Sequence, residues 1–122
     1  MPKLRALSVA LLAMTAPALA HHGWSWTEDG FFQLEGRIAS IDLGNPHDML
    51  DVEVDGEVWR VELAPPAATA RSGFTEASAK VGDEVTAIGN RSQDPNERRM
   101  KAVRITVNGQ TFDVYPSRVP TN

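Results

Sequence analysis

Residues 48 to 63 read "DMLDVEVDGEVWRVEL", and this stretch decides the fold. Leu50, Val52 and Val54 alternate with polar residues, Asp55-Gly56 supplies a two-residue turn, and Trp59, Val61 and Leu63 alternate on the return. Strict alternation on both sides of an Asp-Gly step is the pattern of a β-hairpin with one buried face. Pairing across the turn predicts Val52 opposite Trp59 and Leu50 opposite Val61 on that face, with Asp51 opposite Arg60 on the other as a favourable cross-strand pair. Trp59 is expected in the core.

Working outward, "AVRITVNGQTFDVY" (102 to 115) carries a second hairpin about Asn108-Gly109, with Val103, Ile105, Val107, Phe112 and Val114 expected on one face. Upstream, "FQLEGRIASIDLGNP" (32 to 46) holds Leu34, Ile38, Ile41 and Leu43 without strict alternation, which places a bulge or bend at Gly36 or at Ala39-Ser40. Between the hairpins, Pro65-Pro66 ends a strand, "ATARSGFTEASAK" (68 to 80) suits a short helix or two helical turns around Gly73, and "VGDEVTAIG" (81 to 89) reads as a strand. "NRSQDPNERR" (90 to 99) reads as a polar loop, and the basic stretch Arg98, Arg99 and Lys101 as a solvated face.

Three strands, a short helical connection, two strands and a final hairpin strand give an all-β domain. The order is that of a small five- to six-stranded Greek-key barrel of the oligonucleotide/oligosaccharide-binding type with one short helix.

At the N-terminus, Lys3 and Arg5 precede an apolar run, Ala6 to Met14, and then Pro17 and Ala18-Leu19-Ala20. This is the layout of a secretory signal peptide, and the apolar run falls short of the roughly 20 residues that a membrane-spanning helix needs. The expected organisation is a leader over 1–20 cleaved after Ala20, an arm over 21–33, the barrel over 34–115 and a tail over 116–122. The exported product would lie in the periplasm, free of the membrane after cleavage, as a monomer. With Lys3 and Arg5 removed, ten basic and sixteen acidic residues remain, a formal charge of −6 that disfavours nucleic acid as a partner. The chain has no cysteine, which excludes disulfides, thiolate metal sites and a cysteine nucleophile.

Cleavage after Ala20 would make His21 the first residue, with a free α-amine beside its own imidazole. Both groups lose their protons near neutral pH, and on one residue they close a chelate ring on a metal ion. One further imidazole completes a flat three-nitrogen set, a histidine brace, whose geometry suits Cu(II). His47, following the turn signal Asn45-Pro46, is the expected partner and shares parity with Asp51 and Glu53, away from the core. His22 is the local alternative, through the amine and the intervening amide nitrogen. Asp48, Met49, Glu28 and Met100 are candidate further ligands, methionine only for Cu(I). Trp24 and Trp26 read first as cover for an open barrel end and second as cover for a metal or a stacked ligand. Against all this stands a plainer reading, in which an exposed His-His is polar punctuation and His47 caps a turn.

The chain resembles a family of small exported bacterial proteins, domain of unknown function family 6152. The resemblance rests on "HHGW" (21 to 24), "NPH" (45 to 47), "RSGFTEASAKVGDEVTAIG" (71 to 89) and "KAVRITVNGQTF" (101 to 112), in that order. It implies a small β-barrel and export to the periplasm, and no settled activity. "NPHDML" departs from it, with an acid and a methionine where an aromatic or apolar start to the strand is expected.

The function these residues predict is copper binding for sequestration or delivery, with a copper donor or acceptor protein as partner. Redox catalysis is disfavoured, because a domain of this size offers little substrate platform, and no serine-triad, phosphate-loop or dinucleotide pattern is present. The rival from another class is a binding module that takes a glycan, peptide or small molecule on the barrel face, without metal.

Overall fold

The structure, a computed structural model, describes residues 23–121. Six strands follow in order: β1 (Phe32–Asp42), β2 (Met49–Val54), β3 (Glu57–Glu62), β4 (Glu84–Arg91), β5 (Arg99–Val107) and β6 (Gln110–Asp113), with helix α1 (Pro66–Arg71) between β3 and β4. The strands form one sheet in the order β3-β2-β1-β4-β5-β6, and a parallel pairing of β3 with β5 closes it. The result is a closed five-stranded mixed barrel with β6 as an extra strand on β5, an OB-like architecture. Closure leaves the five barrel strands without a free edge.

Both predicted hairpins form in the expected register. Val52 lies opposite Trp59, Leu50 opposite Val61 and Asp51 opposite Arg60, whose guanidinium is 3.4 Å from the carboxylate. Asp55 and Asn108 adopt φ of 51° and 52° and the glycines after them 80° and 77°. Positive φ at both central residues lets a two-residue turn follow the strand twist.

β1 serves two neighbours, pairing with β4 through Phe32–Arg37 and with β2 through Arg37–Asp42. Of the two places expected for an irregularity, the structure puts it at Ala39. The register slips between Ile38 and Ser40, making Ala39 the extra residue of a bulge. At Gly36 a Cβ would lie 2.3 Å from the Glu53 carbonyl oxygen, so the strands approach closely there.

Leu50, Val52, Val61, Met100, Ile105 and Phe112 lie in one buried cluster. α1 starts on Pro66 at its first turn, and the chain leaving it turns through Gly73 (φ 95°) to place Phe74 in that cluster, edge-on to Phe112 at 5.3 Å. Two expectations about the core need correction. Trp59 is only partly buried, packing against the cluster beside Phe32 and under the guanidinium of Arg91. Val103 is fully buried but outside the cluster, because the β4–β5 register shifts between Ile88 and Gly89 and leaves Val103 as an extra residue. Alternation therefore changes phase within β5. Met100 and Ala102 face inward before the bulge, Ile105 and Val107 after it.

Candidate functional site

The phase of β5 before its bulge turns Arg99 and Lys101 to the outside of the barrel, level with Arg60 and Glu62 of β3 across the parallel seam. Met49 of β2 lies opposite Glu62 on the other side, and His47, two residues before it, has the same outward parity. Outward charged residues are ordinarily solvated. Here Lys101 is 1% exposed and Glu62 4%, so the expected solvated basic face is wrong for Lys101.

The cover is the N-terminal arm. Trp24 lies over the Lys101 ammonium at 4.8 Å and Trp26 over the Arg99 guanidinium at 3.7 Å, two aromatics at period two matched to two cations at period two. Tyr115 packs edge-on to Trp24 at 5.0 Å, and Arg118 stacks on Trp24 at 3.9 Å. The tryptophans cover a charged patch on the outside of the barrel. Hydrogen bonds fasten the arm: the Gln93 backbone N–H donates to Trp26 O at 2.9 Å, the Glu28 backbone N–H to Arg91 O at 2.8 Å, and the Asn90 side-chain amide to Gly30 O at 3.1 Å.

Beneath the arm, Glu62 gathers three partners. Arg99 Nη2 lies 2.9 Å from Oε2, Lys101 Nζ 3.6 Å from Oε1, and His47 Nδ1 3.4 Å from the same Oε1. Lys101 Nζ also donates to the carbonyl of Gly23 at 2.8 Å. Gly23 has φ of 89°, a conformation that favours glycine, and a Cβ on it would fall 2.9 Å from that ammonium, which would have to shift.

Burial sets the protonation states. It lowers the His47 pKa, as do the charges of Lys101 and Arg99, against an upward pull from Glu62. A neutral ring with a free lone pair is thus favoured near neutral pH. Burial also lowers the Lys101 pKa from its ordinary value, with Glu62 opposing. Tyr115 is pushed up to about 12, chiefly by burial and then by the charge of Glu62.

Of the residues expected at a site, His47 lies in this cluster, with Met49 beside Glu62 and Trp24 and Trp26 above the cations. His21 and His22 lie outside the described residues. Asp48 has the parity of Leu50, is 3% exposed, and leaves its Oδ1 without a hydrogen-bond partner. Met100 belongs to the core cluster on the inner side of the wall, apart from His47. Glu28 is exposed at the edge of a small cleft shared with Trp24 and Arg118. Among the described residues, no three histidine, aspartate or glutamate side chains are grouped to hold a metal ion.

Glu62, Lys101, Arg99 and Tyr115 were missed as site residues. The signal that could have found them was the repeated spacing of two, in Trp24 and Trp26 against Arg99 and Lys101. The larger groove lies elsewhere, around the bend at Gly36, lined by Glu35, Arg37, Glu53 and Glu84 with Val54 and Val81. It has no aromatic lining residue on which a sugar ring or drug-like ligand would stack.

Compared with solved structures, the chain is similar to the S. pombe Stn1–Ten1 complex, with a TM-score of 0.51 and 22% sequence identity over 66% of this chain and 59% of that one. The chain thus spans well under two thirds of that relative, and the likeness is one of fold. No curated protein matches the sequence. A model of a family of unknown function, DUF6152, matches residues 9–101, up to the buried lysine of β5, and the chain belongs to that family.

Proposed function

We propose that the protein is a periplasmic copper-binding protein, exported and cleaved after Ala20, which holds one copper ion through the α-amine and imidazole of His21 and the imidazole of His47. Its role is sequestration or delivery, with a copper donor or acceptor protein as partner.

The observation that carries this reading is the place of Gly23. Its carbonyl meets Lys101 Nζ, Lys101 meets Glu62, and Glu62 meets His47, in contacts of 2.8, 3.6 and 3.4 Å. Two residues of chain, reaching at most about 7 Å, separate His21 from Gly23. That short tether supports His21, once freed as the terminus, as the partner of the His47 ring. The local alternative through His22 makes no use of this arrangement.

The chemistry of the donors supports copper over other divalent ions. A primary amine and two neutral imidazoles form a nitrogen set that suits tetragonal Cu(II), and Cu(II) heads the divalent affinity series. Burial and two neighbouring cations lower the His47 pKa against the upward pull of Glu62 and Asp48, which reduces proton competition for the ring.

Intact-mass spectrometry of the exported protein, without and with one equivalent of Cu(II), tests the premise. The expected species starts at His21 and gains one copper. A species that retains any leader residue, or that gains none, contradicts the proposal.

A further inference from the structure

Glu62 is buried on an outward-facing position of the barrel wall. Its carboxylate is oriented from two sides. Oε2 accepts from Arg99 Nη2 at 2.9 Å, while Oε1 faces Lys101 Nζ at 3.6 Å and His47 Nδ1 at 3.4 Å. Arg99 is in turn held under Trp26. His47 is partly exposed, with 24% of its side chain reaching solvent.

An ionised carboxylate only accepts hydrogen bonds. A neutral imidazole whose Nδ1 faces it is favoured with the ring proton on Nδ1, because a lone pair there would face another lone pair. The proton on Nδ1 leaves Nε2 as the basic nitrogen. The contact at 3.4 Å is loose for a hydrogen bond, and a charge drawn onto Nε2 would increase the pull of Nδ1–H toward the carboxylate.

We propose that Glu62, clamped by Arg99 and Lys101, is a positioning residue that fixes His47 as its Nδ1–H tautomer and presents Nε2 as the ligating nitrogen. This rests on the copper reading for its use, but the tautomer itself exists without metal. Glu62 touches the ring and not the ion. Lys101 pairs ionically with Glu62 and donates to the Gly23 carbonyl, so the same ammonium touches the clamp and the arm.

The test reads the metal-free protein first. Long-range proton–nitrogen NMR at pH 8, on the ¹⁵N-labelled protein beginning at His21, reports which His47 nitrogen carries the proton. The expected result is Nδ1–H in the wild type, and loss of that preference in Glu62→Gln, whose amide can donate to Nδ1 as readily as accept. An Nε2–H tautomer in the wild type overturns the proposal, and it needs no variant to fold. An unchanged tautomer in a folded Glu62→Gln overturns it equally. Cu(II) titration then reads the consequence: Glu62→Gln binds about 10- to 100-fold more weakly, with Glu62→Asp between the two. Equal affinity in Glu62→Gln and wild type overturns the positioning role. Correct tautomers with no copper bound by any form support the orienting contact and contradict the copper reading alone.

Discussion

The buried ammonium of Lys101 donates to the carbonyl of Gly23 at 2.8 Å across 78 residues of sequence. It ties the start of the arm to the strand that closes the barrel. Lys101 Nζ has two kinds of partner there, that carbonyl and the Glu62 carboxylate at 3.6 Å, with the face of Trp24 above.

Lys101→Met keeps the length of the side chain and removes the charge. Glu62 then stays buried with Arg99 and His47 as its remaining partners, and removing one member of a buried pair costs about 3 kcal/mol or more. Urea denaturation is expected to show a loss of that order, together with weaker Cu(II) binding although Lys101 is no ligand. A stability within about 0.5 kcal/mol of wild type would mean that the pairing contributes little.

The register of the first hairpin has a sharper check. Leu50 is fully buried and Val58, on the partner strand, is 53% exposed. Leu50→Ala is expected to cost about 2 to 5 kcal/mol and Val58→Ala no more than about 0.5. A slip of one residue would reverse this order, so comparable losses in the two contradict the pairing.

Gly36→Ala tests the close approach of β1 and β2. Its Cβ would meet the Glu53 carbonyl oxygen at 2.3 Å and the side chains of Val52 and Val54 at 2.8 Å. Overpacking of this kind costs about 1 to 3 kcal/mol. Gly30→Ala, with nothing within 4 Å, is the control and is expected to be near neutral in thermal denaturation.

Tyr115 is the single tyrosine, so its ionisation is readable by phenolate absorbance. In the native protein it is pushed up to about 12 from an ordinary value of 10.0 by burial and by Glu62. The folded state therefore holds the phenolic proton more tightly than the unfolded state. Stability from this group is full below pH 10 and falls as pH rises through about 12. The native absorbance midpoint is expected near pH 12 and that of the urea-unfolded chain near 10; a native midpoint near 10 contradicts the packing of Tyr115 beneath the arm.

The two hairpins were legible because period-two alternation around Asp55-Gly56 and Asn108-Gly109 encodes both register and turn locally. The bulge at Ala39 announced itself as broken alternation in β1. The bulge at Val103 did not, since "AVRITV" continues to look alternating while the phase slips against β4. The Glu62, Arg99 and Lys101 cluster was hidden for a different reason. Alternation correctly assigns those residues to the outside of the wall, and the arm, folding back over β5 from the far end of the sequence, covers the cations together with Tyr115. Such burial is long-range and leaves no local period. The same holds for Trp59, whose inward parity was right but whose place beside Phe32 and Arg91 leaves it partly uncovered.

The most direct measurement of the account is a Cu(II) titration of three forms, each checked for fold by circular dichroism: the protein beginning at His21, its His47→Ala variant, and the same protein with one residue added before His21. The account predicts tight one-to-one binding in the first. It predicts strong, comparable weakening in the other two, because the added residue separates the free amine from the His21 imidazole while every side chain remains. Binding in the first form should also fall as pH drops below about 6, where protons compete for the amine and the imidazoles. Weakening by the added residue alone, with His47→Ala silent, would assign the metal to His21 and His22 and contradict the role of His47; equal affinity in all three would contradict the brace altogether.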